Sequence, residues 1–109
     1  YIPDFGTRQF LLKNLYWTEP GQLAFRFNLK ALLNNSHEIG KPLPEATTFD
    51  KPTLFLRGQK SNYILDSDTV LIKKHFPNAE IKTINNAGHW LHAEKPTDFI
   101  TAVLEFLKK

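Results

Sequence analysis

The second half of the chain alternates short strand-like runs with stretches of helical spacing. Residues 53–56 form an apolar run typical of a strand buried on both faces, and residues 81–84 predict a second strand. Between them, an Asp-Ser-Asp cluster opens a predicted helix over residues 66–75. A last helix begins at Pro96 and has apolar residues at helical spacing: Phe99, Ile100, Val103, Leu104 and Leu107. The pattern therefore predicts a β-α-β-α order with parallel strands.

The first part of the chain is short and rich in aromatic residues. Thr7 is predicted to cap a helix that ends near Asn14. Residues 15–17 and 23–27 flank a Glu-Pro-Gly sequence, which predicts a β-hairpin. Asn28 is predicted to cap a second short helix. Because so small a segment cannot bury its own apolar residues, we expect it to lie on another body.

These patterns predict two structured segments and a linker. Residues 1–39 form the aromatic segment, the Pro-rich residues 40–49 are the linker, and residues 50–109 form the β-α-β-α part. Two parallel strands need further strands and cover on both faces, so we expect the remaining sheet to come from elsewhere. The chain begins at Tyr1 and contains no Met, which suggests an internal part of a longer protein.

Composition excludes several classes of function. The net charge of +3 comes from lysines and arginines scattered among acids, so we expect no nucleic-acid partner. There are no cysteines, which fits a reducing compartment, and we expect a cytoplasmic protein. No apolar stretch has the length of a membrane span, so we expect none.

His89 is the residue best placed for chemistry. It follows Gly88 at a predicted strand-to-helix junction, where we expect the glycine to let the backbone turn. The two loops that follow parallel strands share one sheet edge, where α/β proteins place their active sites. An imidazole there can accept and return a proton. The alternative is a surface or capping histidine. Trp90 is predicted to pack under the loop, and Glu94 to serve the following helix N-terminus.

The other histidines receive no catalytic role. His89 and His92 could suggest a metal site, but no acidic or thiol cluster accompanies them, so we expect no metal and no cofactor. His37 and His75 are expected to face solvent.

The residues around His89 resemble a known family. Residues 86–96 (NAGHWLHAEKP) and 52–58 (PTLFLRG) resemble the last two strands of α/β-hydrolases. Together with residues 8–15 (RQFLLKNL) and 25–29 (FRFNL), they resemble the YbfF-type esterases over nearly the whole chain. The expected fold class is α/β, namely the C-terminal part of an α/β-hydrolase with a small helix–hairpin cap segment.

The resemblance implies roles for individual residues. Residues 1–39 would be the cap over the active site, and His89 would be the base of the catalytic triad. Candidates for contact with a small acyl ester substrate are the aromatic residues Phe10, Trp17, Tyr63 and Trp90. The structural alternative for these aromatic side chains is burial of the cap against the main domain.

Two departures from the family pattern limit the prediction. No Gly-x-Ser-x-Gly nucleophile motif occurs in residues 1–109, and Ser61 stands where many α/β-hydrolases have the triad acid. The nucleophile, oxyanion hole and acid would then lie upstream, in an N-terminal part of the same hydrolase that acts as the partner of this chain. The predicted function is carboxylester or thioester hydrolysis. Alternatives are an epoxide, haloalkane or carbon–carbon bond hydrolase, or a non-catalytic module of the same fold.

Overall fold

The structure, a computed structural model that describes all 109 residues, divides the chain into two units, Tyr1–Pro42 and Leu43–Lys109. The first unit contains helix α1 (Phe5–Leu12), strands β1 (Leu15–Glu19) and β2 (Gln22–Phe25), and helix α2 (Leu29–Asn34). A single 3₁₀ turn at Ser36–Glu38 follows α2.

Helix α1 is capped by Asp4 rather than by Thr7. The Asp4 carboxylate accepts a hydrogen bond from the Thr7 backbone N–H at 2.6 Å. This bond, with Arg8 nearby, holds the pKa of Asp4 below its usual value. The prediction of a Thr7 cap was wrong because an acid three residues earlier satisfies the same exposed N–H groups.

The predicted hairpin is confirmed. β1 and β2 pair antiparallel, with Tyr16 opposite Ala24, and Gly21 takes the turn with φ 84°. Asn28 caps α2 as predicted, because its side-chain oxygen accepts from the Ala31 N–H at 2.9 Å. No residue of this unit is fully buried, so its apolar side chains remain open to solvent.

The second unit contains the predicted parallel strand pair. Strand β3 (Thr53–Gly58) pairs with β4 (Ala79–Ile84), and α3 (Thr69–His75) connects them after a 3₁₀ turn. Helices α4 (Leu91–Glu94) and α5 (Pro96–Leu107) follow β4. No helix of the structure has both the length and the apolar character needed to cross a membrane.

A small core joins β4 to the two C-terminal helices. Its buried members come from β4, the following loop, α4 and α5, and are Ile84, Ala87, Leu91 and Ala102. At the surface, Lys82 on β4 bonds to Glu105 on α5 at 2.5 Å, and the lysine holds the pKa of Glu105 below its usual value. The helix α5 therefore lies firmly beside the strand that leads to His89.

His75 is buried, contrary to the expectation that it faces solvent. Its ring Nδ1 lies 2.7 Å from the Thr47 carbonyl oxygen, and its own carbonyl accepts from the Phe49 N–H at 2.8 Å. A carbonyl can only accept, so Nδ1 carries the proton of this hydrogen bond. The segment before β3 is thus fixed to the end of α3. His37 is exposed, as predicted.

We expect His75→Ala to loosen the segment before β3, because the buried hydrogen bond to Thr47 is lost. Amide hydrogen exchange in peptides covering residues 44–50 should become about 10-fold faster, as loss of about 1.4 kcal/mol implies. The matched control is Lys74→Ala, which removes only an exposed ion pair with Glu45 at 3.4 Å. Equal exchange in both variants would show that His75 does not hold the segment.

Candidate active site

The candidate site is built from the loops that follow β3 and β4. Gly58 is paired with Ile84, so the two strands end at the same level and their loops leave the same edge. Three hydrogen bonds of 2.9 Å join the loops: the Gln59 N–H to the Ile84 carbonyl, the Asn86 N–H to the Gln59 side chain, and the Lys60 N–H to the Ala87 carbonyl. The loops therefore act as one rigid edge.

Gly58 allows the two loops to touch. It is buried, and a Cβ built at this position would overlap the carbonyl oxygens of Ala87 and Gly88 and lie 2.7 Å from the Gly88 carbonyl carbon. Backbone atoms cannot move aside as a flexible side chain can. Only glycine fits here at this separation.

Asn86, not Gly88, makes the turn after β4. Asn86 has φ 57°, whereas Gly88 does not have a positive φ. Asparagine tolerates this left-handed conformation better than most residues. The glycine at 88 instead allows a close approach, since an added Cβ would lie 3.2 Å from the Glu94 carboxylate oxygen Oε2.

Glu94 binds the histidine loop rather than the N-terminus of the next helix. Its Oε2 accepts from the Gly88 N–H at 2.8 Å. The prediction for Glu94 was wrong because the loop curls back onto α4, which brings Gly88 closer to the carboxylate than the linear sequence suggests.

His89 lies on the exposed side of this edge, next to Tyr63. Their ring centroids are 4.0 Å apart and the ring planes are inclined by 44°. Trp90 is half-buried beside it. The structure therefore brings together His89 and Tyr63 among the predicted site residues. His92 is exposed, and its ring faces Phe99 at 6.2 Å.

The other two predicted site residues lie in the first unit. Phe10, on α1, is 51% exposed, and Trp17, on β1, is 64% exposed. Both side chains are thus partly exposed to solvent.

The loop that carries Tyr63 is fixed by Arg57, which the sequence did not single out. The Arg57 guanidinium donates to Thr83 Oγ1 at 2.9 Å, to the Ile64 carbonyl at 3.3 Å and to Asp66 Oδ1 at 2.6 Å. The only sequence signal for this role of Arg57 was its position directly before the glycine that ends β3. Of the predicted capping acids, Asp66 instead pairs with this arginine.

Asp68 and Ser61 complete the same loop. Asp68 accepts from the Leu65 N–H at 2.8 Å, as a capping acid does. The Ser61 hydroxyl oxygen accepts a hydrogen bond from the Tyr63 backbone N–H at 3.2 Å, so its partner is a backbone group of its own loop. Ser61 therefore helps to orient Tyr63.

The His89 ring is exposed to solvent and so accessible for proton exchange. No carboxylate of these 109 residues hydrogen-bonds to it, and no group of three side chains suited to a metal ion occurs in the chain. An exposed imidazole on a fixed loop is suited to general acid–base chemistry.

Comparison with known proteins identifies the fold. A solved marine microorganism esterase superposes with a TM-score of 0.89 at 41% sequence identity, over 97% of this chain and 41% of that one. The chain has the fold of the C-terminal part of an α/β-hydrolase. The predicted fold class is thus confirmed.

Curated relatives confirm the predicted resemblance to the YbfF-type esterases. The chain is 43% identical over 108 residues to the sn-1-specific diacylglycerol lipase ABHD11 of Danio rerio, covering 98% of the chain and 33% of that protein. It is 33% identical over 109 residues to Esterase YbfF of Escherichia coli, covering 98% and 40%. It therefore spans between a third and two fifths of the length of these relatives. No family model matches it.

We expect Gly58→Ala to disrupt the edge that carries His89, because the added methyl group meets backbone carbonyls. Overpacking of this kind should lower the free energy of unfolding by about 1–3 kcal/mol, measured by urea denaturation of the full-length protein. The control is Gly6→Ala, where the new Cβ meets only the Asp4 carboxylate at 3.3 Å. An unchanged stability together with unshifted His89 and Tyr63 ring resonances would contradict this account.

Proposed function

We propose that this chain supplies the general base of a serine hydrolase that cleaves acyl esters, and that His89 is that base. The observation that carries the proposal is the place of His89, exposed at the carboxyl edge of the parallel strands and 4.0 Å from the Tyr63 ring. Relatives named as an esterase and a lipase support ester bonds as the substrate.

The proposed reaction uses a serine hydroxyl from a segment outside these 109 residues. His89 takes the hydroxyl proton as the serine oxygen attacks the ester carbonyl carbon. The protonated imidazole then gives that proton to the departing alkoxide or thiolate, leaving an acyl-enzyme. Water attacks the acyl group with the same assistance, which releases the acid and restores the serine. An acid from the missing segment would orient the imidazole.

The proposed substrate contacts are aromatic. Tyr63 and Trp90 belong to the loops beside His89, and Phe10 and Trp17 belong to residues 1–39, which we propose as the cap. Aromatic rings that line a site offer an acyl chain apolar surface to pack against. The relative named as a diacylglycerol lipase supports a glycerol ester, whereas the name esterase leaves the alcohol open.

The proposed partner is the N-terminal part of the same hydrolase. The second unit has a sheet of only two strands, and its helices expose apolar side chains that include Val70 at 80% and Leu107 at 69%. Both features are typical of a segment that continues into a larger sheet and its covering layer.

His89→Ala should lower kcat for a p-nitrophenyl acyl ester by about 10²- to 10⁴-fold in the full-length protein, because the general base is lost. Labelling by a fluorophosphonate probe should slow in parallel. His92→Ala is the matched control, since His92 is also exposed but faces Phe99, and it should keep kcat. A His89→Ala protein as active as the parent would refute the proposal. Absence of fluorophosphonate labelling together with hydrolysis of an epoxide or haloalkane would point to an aspartate nucleophile and to an epoxide or haloalkane hydrolase.

The 109-residue chain alone should be inactive and poorly folded, because it holds no serine elbow and leaves a strand pair open. Size-exclusion chromatography and thermal denaturation should show association and a broad transition. Adding the N-terminal segment should restore both monomeric behaviour and esterase activity. A monomeric, cooperatively folded and esterolytic lone chain would contradict this expectation.

A further inference from the structure

The position of His89 depends on its backbone. Its ring contacts Tyr63 but accepts or donates no side-chain hydrogen bond within these residues. On the side that precedes it in sequence, the loop is joined to the β3 loop through Asn86 and Ala87. The last of these bonds is at Ala87, two residues before the histidine. A different contact must therefore hold the backbone on either side of His89.

Glu94 holds the residues on both sides of His89. Its carboxylate accepts from the N–H of Gly88, which precedes the histidine, at 2.8 Å. Its own backbone N–H donates to the carbonyl of Trp90, which follows the histidine, at 2.9 Å. Glu94 therefore bonds to the residue on each side of His89. The carboxylate bond is the stronger of the two because it is charge-assisted.

The geometry points to Glu94 as the positioning residue of His89, acting through the Gly88 N–H. This inference rests on the proposed function, since it concerns how the proposed base is aimed. The contact is close enough to favour glycine at position 88, because a Cβ there would lie 3.2 Å from the same Glu94 oxygen. Loss of the carboxylate frees the backbone beside the imidazole, and a small displacement of a catalytic group is costly to the rate.

Glu94→Ala in the full-length protein should lower kcat for p-nitrophenyl butyrate about 10-fold and leave KM within about 2-fold. Glu94→Gln should keep kcat within about 3-fold, because the amide oxygen accepts the same hydrogen bond. The matched control is Glu105→Ala, which removes a carboxylate of α5 whose partner is Lys82. Urea denaturation of all three variants separates loss of folding from loss of rate.

Gly88→Ala tests the same contact from its other partner. The added methyl group would lie 3.2 Å from Glu94 Oε2, so the carboxylate has to shift by a few tenths of an ångström, which weakens its hydrogen bond to the Gly88 N–H. We expect Gly88→Ala to lower kcat in the parent and to add little further loss in Glu94→Ala, because the contact is then already gone. Losses that multiply independently would overturn the inference.

The remaining outcomes separate this inference from the proposed function. If His89→Ala is inactive but Glu94→Ala matches the parent, Glu94 does not position the base, and the proposed function stands. If His89→Ala keeps full activity, the proposed function itself fails. If Glu94→Gln loses as much kcat as Glu94→Ala and the acid limb of its pH profile moves, the negative charge is what acts, and a positioning role is refuted.

Discussion

The direct contact between the backbone at Gly58 and the carbonyls of Ala87 and Gly88 is the constraint on which the candidate site depends. With no side chain at 58, the end of β3 lies against the loop after β4. That closeness lets the Lys60 N–H reach the Ala87 carbonyl. The loop of Tyr63 and the loop of His89 then share one edge, and the two rings can touch.

The sequence predicted those parts of the fold that depend on neighbours along the chain. The strands, the hairpin and the Asn28 cap are set by local spacing, short side-chain reach and backbone preference. The parallel pairing followed from two strands joined through a helix. The location of His89 at the strand edge followed in turn from that topology.

Contacts between distant positions could not be predicted in the same way. The burial of His75 depends on a carbonyl 28 residues away, and the role of Arg57 depends on Thr83, 26 residues along the chain. Glu94 was within six residues of its partner, yet its assignment required knowing that the loop curls back. Polar side chains have several acceptable partners, and only the three-dimensional arrangement selects among them.

The long sequence separation of the loop contacts has a consequence for the order of folding. Gln59 and Asn86 are 27 residues apart, and bringing them together early would close a long loop for a single hydrogen bond. Once α3 has packed and β3 has paired with β4, the hydrogen bond between Asn86 and Gln59 costs little additional entropy. We therefore expect the His89 imidazole to take its place beside Tyr63 only late in folding, so a partly folded molecule does not yet bring the two rings together.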